Sequence, residues 1–131
     1  MLKQEVMGNN DQSRFSIVTR IRSFSHAFAG LKVLLKEEHN ARIHLFASVL
    51  ALVAGFVYSL STIEWVAVLM AIALVFISEI INSAIEGICD FICPQQNDGI
   101  KKIKDLAAAA VLFSAVIAIA IGVLVFWSKV F

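Results

Sequence analysis

The sequence is poor in everything that marks a soluble, disulfide-bonded or fibrous chain. Of 131 residues, two are cysteine, one is proline and six are glycine, and 16% are charged. Two cysteines exclude a disulfide scaffold, and the low proline and glycine content excludes a collagen-like or disordered chain. The formal charge of +1 gives no general attraction to nucleic acid. What is present in excess is apolar: 60% of residues, with a mean hydropathy of +0.85. A single domain of this length has too much surface to hide that many apolar side chains. The excess must face lipid, so the chain reads as an all-α integral membrane protein.

Two stretches are long enough to cross a bilayer, whose core of about 30 Å needs roughly twenty apolar residues. Ile43 to Thr62 contains no Asp, Glu, Lys or Arg, and Leu106 to Ser128 contains no ionisable group at all. Between them, the run Trp65 to Ser78 is too short alone but continues helically through Glu79 to about Ile92. Three spans are expected, near 43–62, 65–92 and 106–128. Residues 13–40 form a different element. Phe15, Ile17, Ile21, Phe24, Phe28, Leu31 and Leu35 recur every three to four residues, with Arg14, Arg20, Arg22, Lys32 and Lys36 largely between them. This predicts an N-terminal amphipathic surface helix, for which an ordinary basic anchor is the plainer reading. Residues 1–12 read as a disordered tail and 13–131 as one domain.

Basic residues sort by loop. Seven precede the first span, none lies between Ser59 and Glu64, three (Lys101, Lys102, Lys104) lie in the second connection, and Lys129 alone follows the last span. The positive-inside rule then places the N-terminus and the 93–105 loop in the cytoplasm. With no signal peptide ahead of the first span, a multi-pass protein of the cell (inner) membrane is expected. Trp65 and Trp127 fall at the outer ends of spans two and three, as an aromatic belt places them. Small residues recur every fourth position, at Ala47, Ala51 and Gly55 in the first span and at Ala110, Ser114, Ala118 and Gly122 in the third. Such stripes permit close backbone approach in lipid.

The second span carries the chemistry. Glu79, Asn82, Glu86 and Asp90 are spaced three, four and four, so they share one face. Charge within a span costs about 2.5–3.5 kcal/mol per group on the insertion scale, and carboxylates on one stripe repel. The stripe calls for a cation, a shared proton or a facing partner. Counting about 1.5 Å per residue from Glu64 puts Glu79 just inside the cytoplasmic boundary of the hydrocarbon, with Glu86 at the interface. Glu37, Glu38, Lys104 and Asp105 end or begin their elements near the same level. A carboxyl at that depth suits a general base acting on a lipid hydroxyl, and a pair further out suits Mg²⁺ on nucleotide phosphates. The bland alternative is that these groups only hold helices together. Ion conduction is a further alternative, although no carboxylate lies in the outer half of any span. Cys89 and Cys93 read as ordinary packing, and His39 and His44 as interfacial anchors.

The segment Glu79-Ile80-Ile81-Asn82-Ser83-Ala84-Ile85-Glu86-Gly87-Ile88-Cys89-Asp90 resembles the signature of the prokaryotic diacylglycerol kinase family, which includes undecaprenol kinases. Gly30-Leu31, Glu37-Glu38, Arg42-Ile43-His44 and Lys104-Asp105-Leu106-Ala107-Ala108 also match, and the resemblance covers about residues 14 to 128. It implies a small homotrimeric membrane enzyme with sites shared between subunits. Such an enzyme transfers the γ-phosphoryl of Mg-ATP to a lipid hydroxyl, most simply that of diacylglycerol, alternatively that of undecaprenol. Carried over by position, Glu79 resembles the general base, and Asn82 resembles a polar group ordering the site. Glu38 and Glu86 resemble the Mg²⁺ ligands. Lys104 and Asp105 resemble the nucleotide-contacting pair, and Gln95, Gln96 and Asn97 the nucleotide loop. His26 stands where an aromatic is common and is counted with the nucleotide-contacting residues; Asn97 stands where His is frequent, and Cys89 where an aliphatic residue is usual. Outside this class, a small ion-coupled transporter and a non-catalytic assembly protein are the alternatives.

Overall fold

The computed structural model describes residues 17–130, the side chain of Val18 excepted. The expected tail at 1–12 and the start of the surface helix at 13–16 lie outside the described residues. Four helices follow in order: α1 (Ile17–Glu37), α2 (His39–Val57), α3 (Thr62–Ile92) and α4 (Asp98–Val130). The last three are long and apolar enough to cross a membrane. This is the predicted all-helical class, three spans behind an N-terminal surface-like helix. Ile17, Ile21, Phe24 and Phe28 form an exposed apolar ridge along α1, as a helix lying on a lipid surface presents.

Helix α1 does not run into the first span. It stops at Glu37, and Glu38 alone takes an extended conformation (φ −95°, ψ 116°) before α2 begins at His39. The break needs no proline or glycine. It comes earlier than the expected boundary at residue 40, with His39 to Arg42 already part of the first span's helix.

At the opposite end, α2 and α3 are joined by a turn in which Ser59 takes a left-handed conformation (φ 51°). Ser61 then starts α3 with a reciprocal cap: its hydroxyl accepts from the Glu64 amide at 3.4 Å, and its own amide donates to Glu64 Oε2 at 2.7 Å. The same carboxylate meets Lys129 Nζ at 3.0 Å, tying the start of α3 to the end of α4. At the other end, Lys104 Nζ donates to Asp90 Oδ1 at 2.7 Å. The two pairs fix α3 and α4 as an antiparallel hairpin, which is the most extensive packing in the chain.

Helix α2 is held to this hairpin near its ends. Near the Ser61 end, the Trp65 indole lies over Gly55, where an added Cβ would stand 2.6 Å from Cη2. The Trp65 ring also packs on Phe56, with centroids 4.8 Å apart. Trp65 is thus turned inward, unlike Trp127, which is exposed as an interfacial belt requires. Near the other end, His44 reaches Glu79. Between these points the helices stand apart around a groove of about 330 Å³, lined in part by Ala47, Ala51, Ala118 and Gly122. Of the small residues singled out in the sequence, Gly55 makes the tight approach; these four instead border open space.

Candidate active site

Val68, Ala71, Val75, Glu79, Asn82 and Cys89 are the buried residues of α3, and they recur every three to four positions except for the gap filled by half-buried Glu86. They form one face. The polar stripe is therefore the continuation of the apolar stripe that packs α3 against its neighbours. The packing that buries Val68 and Val75 also buries Glu79, only 2% exposed and the largest fully buried side chain among the described residues. A carboxylate is a costly group to place there without partners.

Its partners come from three places. His44 Nε2 on α2 lies 3.2 Å from Glu79 Oε1. The contact is not a hydrogen bond, since Oε1 receives none, and it is an ion pair only with His44 protonated. The charges of Glu38, at the α1–α2 break, and of Glu86, two turns along α3, also bear on Glu79. Glu38 is at the N-cap position of α2 but does not cap it with its side chain, so its carboxylate is left available. Asn82 Nδ2 donates to Glu86 Oε1 at 2.8 Å, whereas Asn82 Oδ1 and Ser83 Oγ are buried without a partner. Three buried polar atoms within one stretch of α3, Glu79 Oε1 among them, thus have no hydrogen-bond partner among the described residues. Buried polar groups are rarely left so.

A second site lies at the same end of the hairpin. The α3–α4 connection and the first turns of α4 enclose a cleft of about 460 Å³ that Gln95, Gln96, Asn97, Lys104 and Asp105 all line. The five residues expected to contact nucleotide on the loop and on α4 are thus brought together. Lys104 is held by Asp90 and Asp105 by Lys101, so the two neighbours point to different partners rather than to each other. Asn97 also has local work: its Oδ1 accepts from the amides of Gly99 at 2.8 Å and Ile100 at 3.2 Å, capping α4. His26 is not brought to either site; it is exposed on α1 and makes no polar contact with the described residues.

No cluster of three or more His, Cys, Asp or Glu able to hold a metal unaided occurs among the described residues. That donor set still fits Mg²⁺ delivered with a nucleotide, which is commonly bound through one or two carboxylates plus the substrate's phosphates. Glu38, with its carboxylate not used in capping, and Glu86, with one oxygen held by Asn82, are the carboxylates that could hold it.

The residue that sequence reasoning passed over is His44. Its neighbours made it look like an interfacial anchor. The signal was available in register: a histidine at the entry of the first span, near the depth of a carboxylate in the second.

Comparison with known proteins bears on the whole chain. A sequence model described as "Prokaryotic diacylglycerol kinase" matches residues 25–126. The undecaprenol kinase of Bacillus subtilis (strain 168) is 37% identical over 120 residues, covering 92% of this chain and 94% of the relative. The diacylglycerol kinase of Synechocystis sp. (strain PCC 6803) is 35% identical over 101 residues, 76% of this chain and 58% of the relative. The diacylglycerol kinase of Escherichia coli (strain K12) is 30% identical over 108 residues, 82% and 88% of the two chains. With a family match over most of its length and a packed carboxylate stripe that coincides with the signature, this membrane-spanning chain belongs to the prokaryotic diacylglycerol kinase family of lipid kinases.

Proposed function

We propose that the protein transfers the γ-phosphoryl group of Mg-ATP to the hydroxyl of a membrane lipid, with Glu79 as general base. The observation that carries the reading is Glu79 itself: a buried carboxylate with an oxygen that receives no hydrogen bond, which a count of about 1.5 Å per residue from Glu64 puts near the cytoplasmic edge of the hydrocarbon. The hydroxyl donates to Glu79 and its proton passes to the carboxylate. Its oxygen forms the new bond to the γ-phosphorus as the bond to the bridging oxygen breaks, and ADP leaves. Phosphoryl transfer asks little more of a protein than positioning and charge neutralisation. Asn82 orients Glu86, and Lys104 offers a positive charge to the phosphates. Gln95, Gln96 and Asn97, with Asp105, frame the cleft beside it. Glu38 and Glu86 would hold the Mg²⁺, which, when bound, neutralises phosphate charge.

We place the site at the cytoplasmic face of the bacterial cell membrane, supported by the basic residues before the first span and in the second connection. We take the working form to be a homotrimer with shared sites. Three spans in one chain leave the groove between α2 and α4 open, and a neighbouring chain can close it.

Diacylglycerol is the first acceptor to test, since the family description and two of the relatives above carry that name. The identity to an undecaprenol kinase over nearly the full length of both chains favours a polyprenol as the second reading. Purified protein with Mg-ATP and a panel of lipid alcohols, read by mass spectrometry of the phosphorylated product, tests both. Phosphatidic acid or polyprenyl phosphate identifies the acceptor. ATP turnover independent of added lipid rejects the lipid-kinase mechanism.

A further inference from the structure

The pair formed by His44 and Glu79 has a composition that the base reading alone does not require. Glu79 is buried at 2% exposure and is flanked by the charges of Glu38 and Glu86, all of one sign. No hydrogen bond from α3 fixes Oε1 in place. His44 is the side chain that stands against it. It projects from a different helix, its Nε2 stands 3.2 Å from Oε1, and it keeps 22% of its side chain exposed. Oε1 accepts no hydrogen bond although the ring stands beside it, so its lone pairs are uncommitted.

We propose that His44 is a positioning residue of the kinase reaction, holding the Glu79 carboxylate in place and balancing its charge without occupying the reactive oxygen. The proposal rests on the reading of Glu79 as the base. His44 does not touch the transferred group. It acts through Glu79, and it gives α2 a part in the chemistry that the α3 signature does not reveal. The helix that carries His44 is tied to α3 mainly at this contact and at Gly55–Trp65, so the pair also sets how closely α2 approaches the base.

The test uses the full-length enzyme in lipid nanodiscs, with steady-state rates for His44→Ala, His44→Gln, Glu79→Gln and the double variant His44→Ala/Glu79→Gln. His44→Ala should lower kcat by about 10–100-fold, the usual cost of losing a group that orients a working side chain. KM for ATP and for lipid should stay within about twofold, which also shows that the site is assembled. In the Glu79→Gln background the same substitution should cost nothing further, because groups that act as one unit are not additive. His44 also lines the groove between α2, α3 and α4, so truncation leaves room for a small ring reached through it. Added imidazole should restore part of the lost kcat in His44→Ala and none in Glu79→Gln. A full and independent loss in the double variant overturns the proposal while leaving Glu79 as base. So does a loss that imidazole does not touch and that appears equally in KM. If Glu79→Gln alone keeps its kcat, the base reading fails and takes the proposal with it. His44→Gln keeps the size and polarity of the side chain but not its charge; it should retain KM and recover less than imidazole does, and full activity in it overturns the charge-balancing role.

Discussion

Asn82 and Glu86 are joined by a hydrogen bond of 2.8 Å along one face of α3, from the amide of the first to Oε1 of the second. The bond leaves Glu86 with a defined orientation and one uncommitted oxygen. Asn82→Ala should therefore raise the Mg²⁺ concentration needed for half-maximal rate by about 10–100-fold, the range found when a ligand's supporting partner is removed. The stability loss should be small, near the average of about 0.6 kcal/mol for such bonds inside membrane bundles. Titration of the rate with Mg²⁺, alongside thermal unfolding in the same detergent, checks both. An unchanged Mg²⁺ requirement means that Asn82 does not act through Glu86.

The metal pair is open to a test by mixing. Glu38→Gln and Glu86→Gln should each be nearly inactive at limiting Mg²⁺, because one ligand charge is lost. Co-assembled oligomers of the two variants should regain activity if each site draws its carboxylates from two chains. Within one chain the Glu38 charge already bears on Glu79. No recovery in oligomers shown to be mixed would make the site a single-chain one.

The cleft residues separate by their present partners. Lys104→Ala should raise KM for ATP several-fold with little change in kcat, since a charge for phosphate is removed. Asp90→Asn releases Lys104 from its partner at 2.7 Å and should leave KM for ATP unchanged or lower. A rise in both variants would mean that the Asp90–Lys104 pair acts as a structural clasp. Asn97→Ala should in addition cost about 0.5–2 kcal/mol of stability through loss of the α4 cap, whereas Asn97→Ser keeps the cap.

Close approach at the Ser61 end gives a stability prediction. Gly55→Ala puts a Cβ 2.6 Å from the Trp65 ring, so the indole or the helix must move. A loss of about 1–3 kcal/mol is expected for overpacking of this kind. Gly30→Ala, with nothing within 4 Å of the added atom, should be neutral or stabilising. Thermal melts of the two variants side by side settle the comparison.

Much of this arrangement is legible in the sequence because lipid simplifies the problem. Backbone groups in hydrocarbon must be bonded internally, so an apolar run of twenty residues implies a helix, and the three spans follow. The three- and four-residue spacing of Glu79, Asn82 and Glu86 gives the polar face in the same way. What spacing does not give is the relation between helices. The break at Glu38 has no proline or glycine to announce it. His44 reads as an anchor until α2 is laid against α3. Trp65 looks like a belt residue from its depth, yet it turns inward because Gly55 leaves a place for its ring. The dual use of Asn97, on the cleft and as a cap, is likewise a matter of local geometry.

The central claim is that a buried glutamate takes the proton from a lipid hydroxyl. Glu79→Gln keeps shape and most hydrogen bonding but removes the base, a contribution of about 10²–10⁴-fold in general acid–base catalysis. The decisive measurement is single-turnover phosphoryl transfer to the identified lipid by this variant, with nucleotide binding measured in parallel by calorimetry. The account predicts a fall in the transfer rate of that order with ATP affinity nearly unchanged. A variant that transfers phosphate at the wild-type rate, and loses only its hold on the nucleotide, would contradict it.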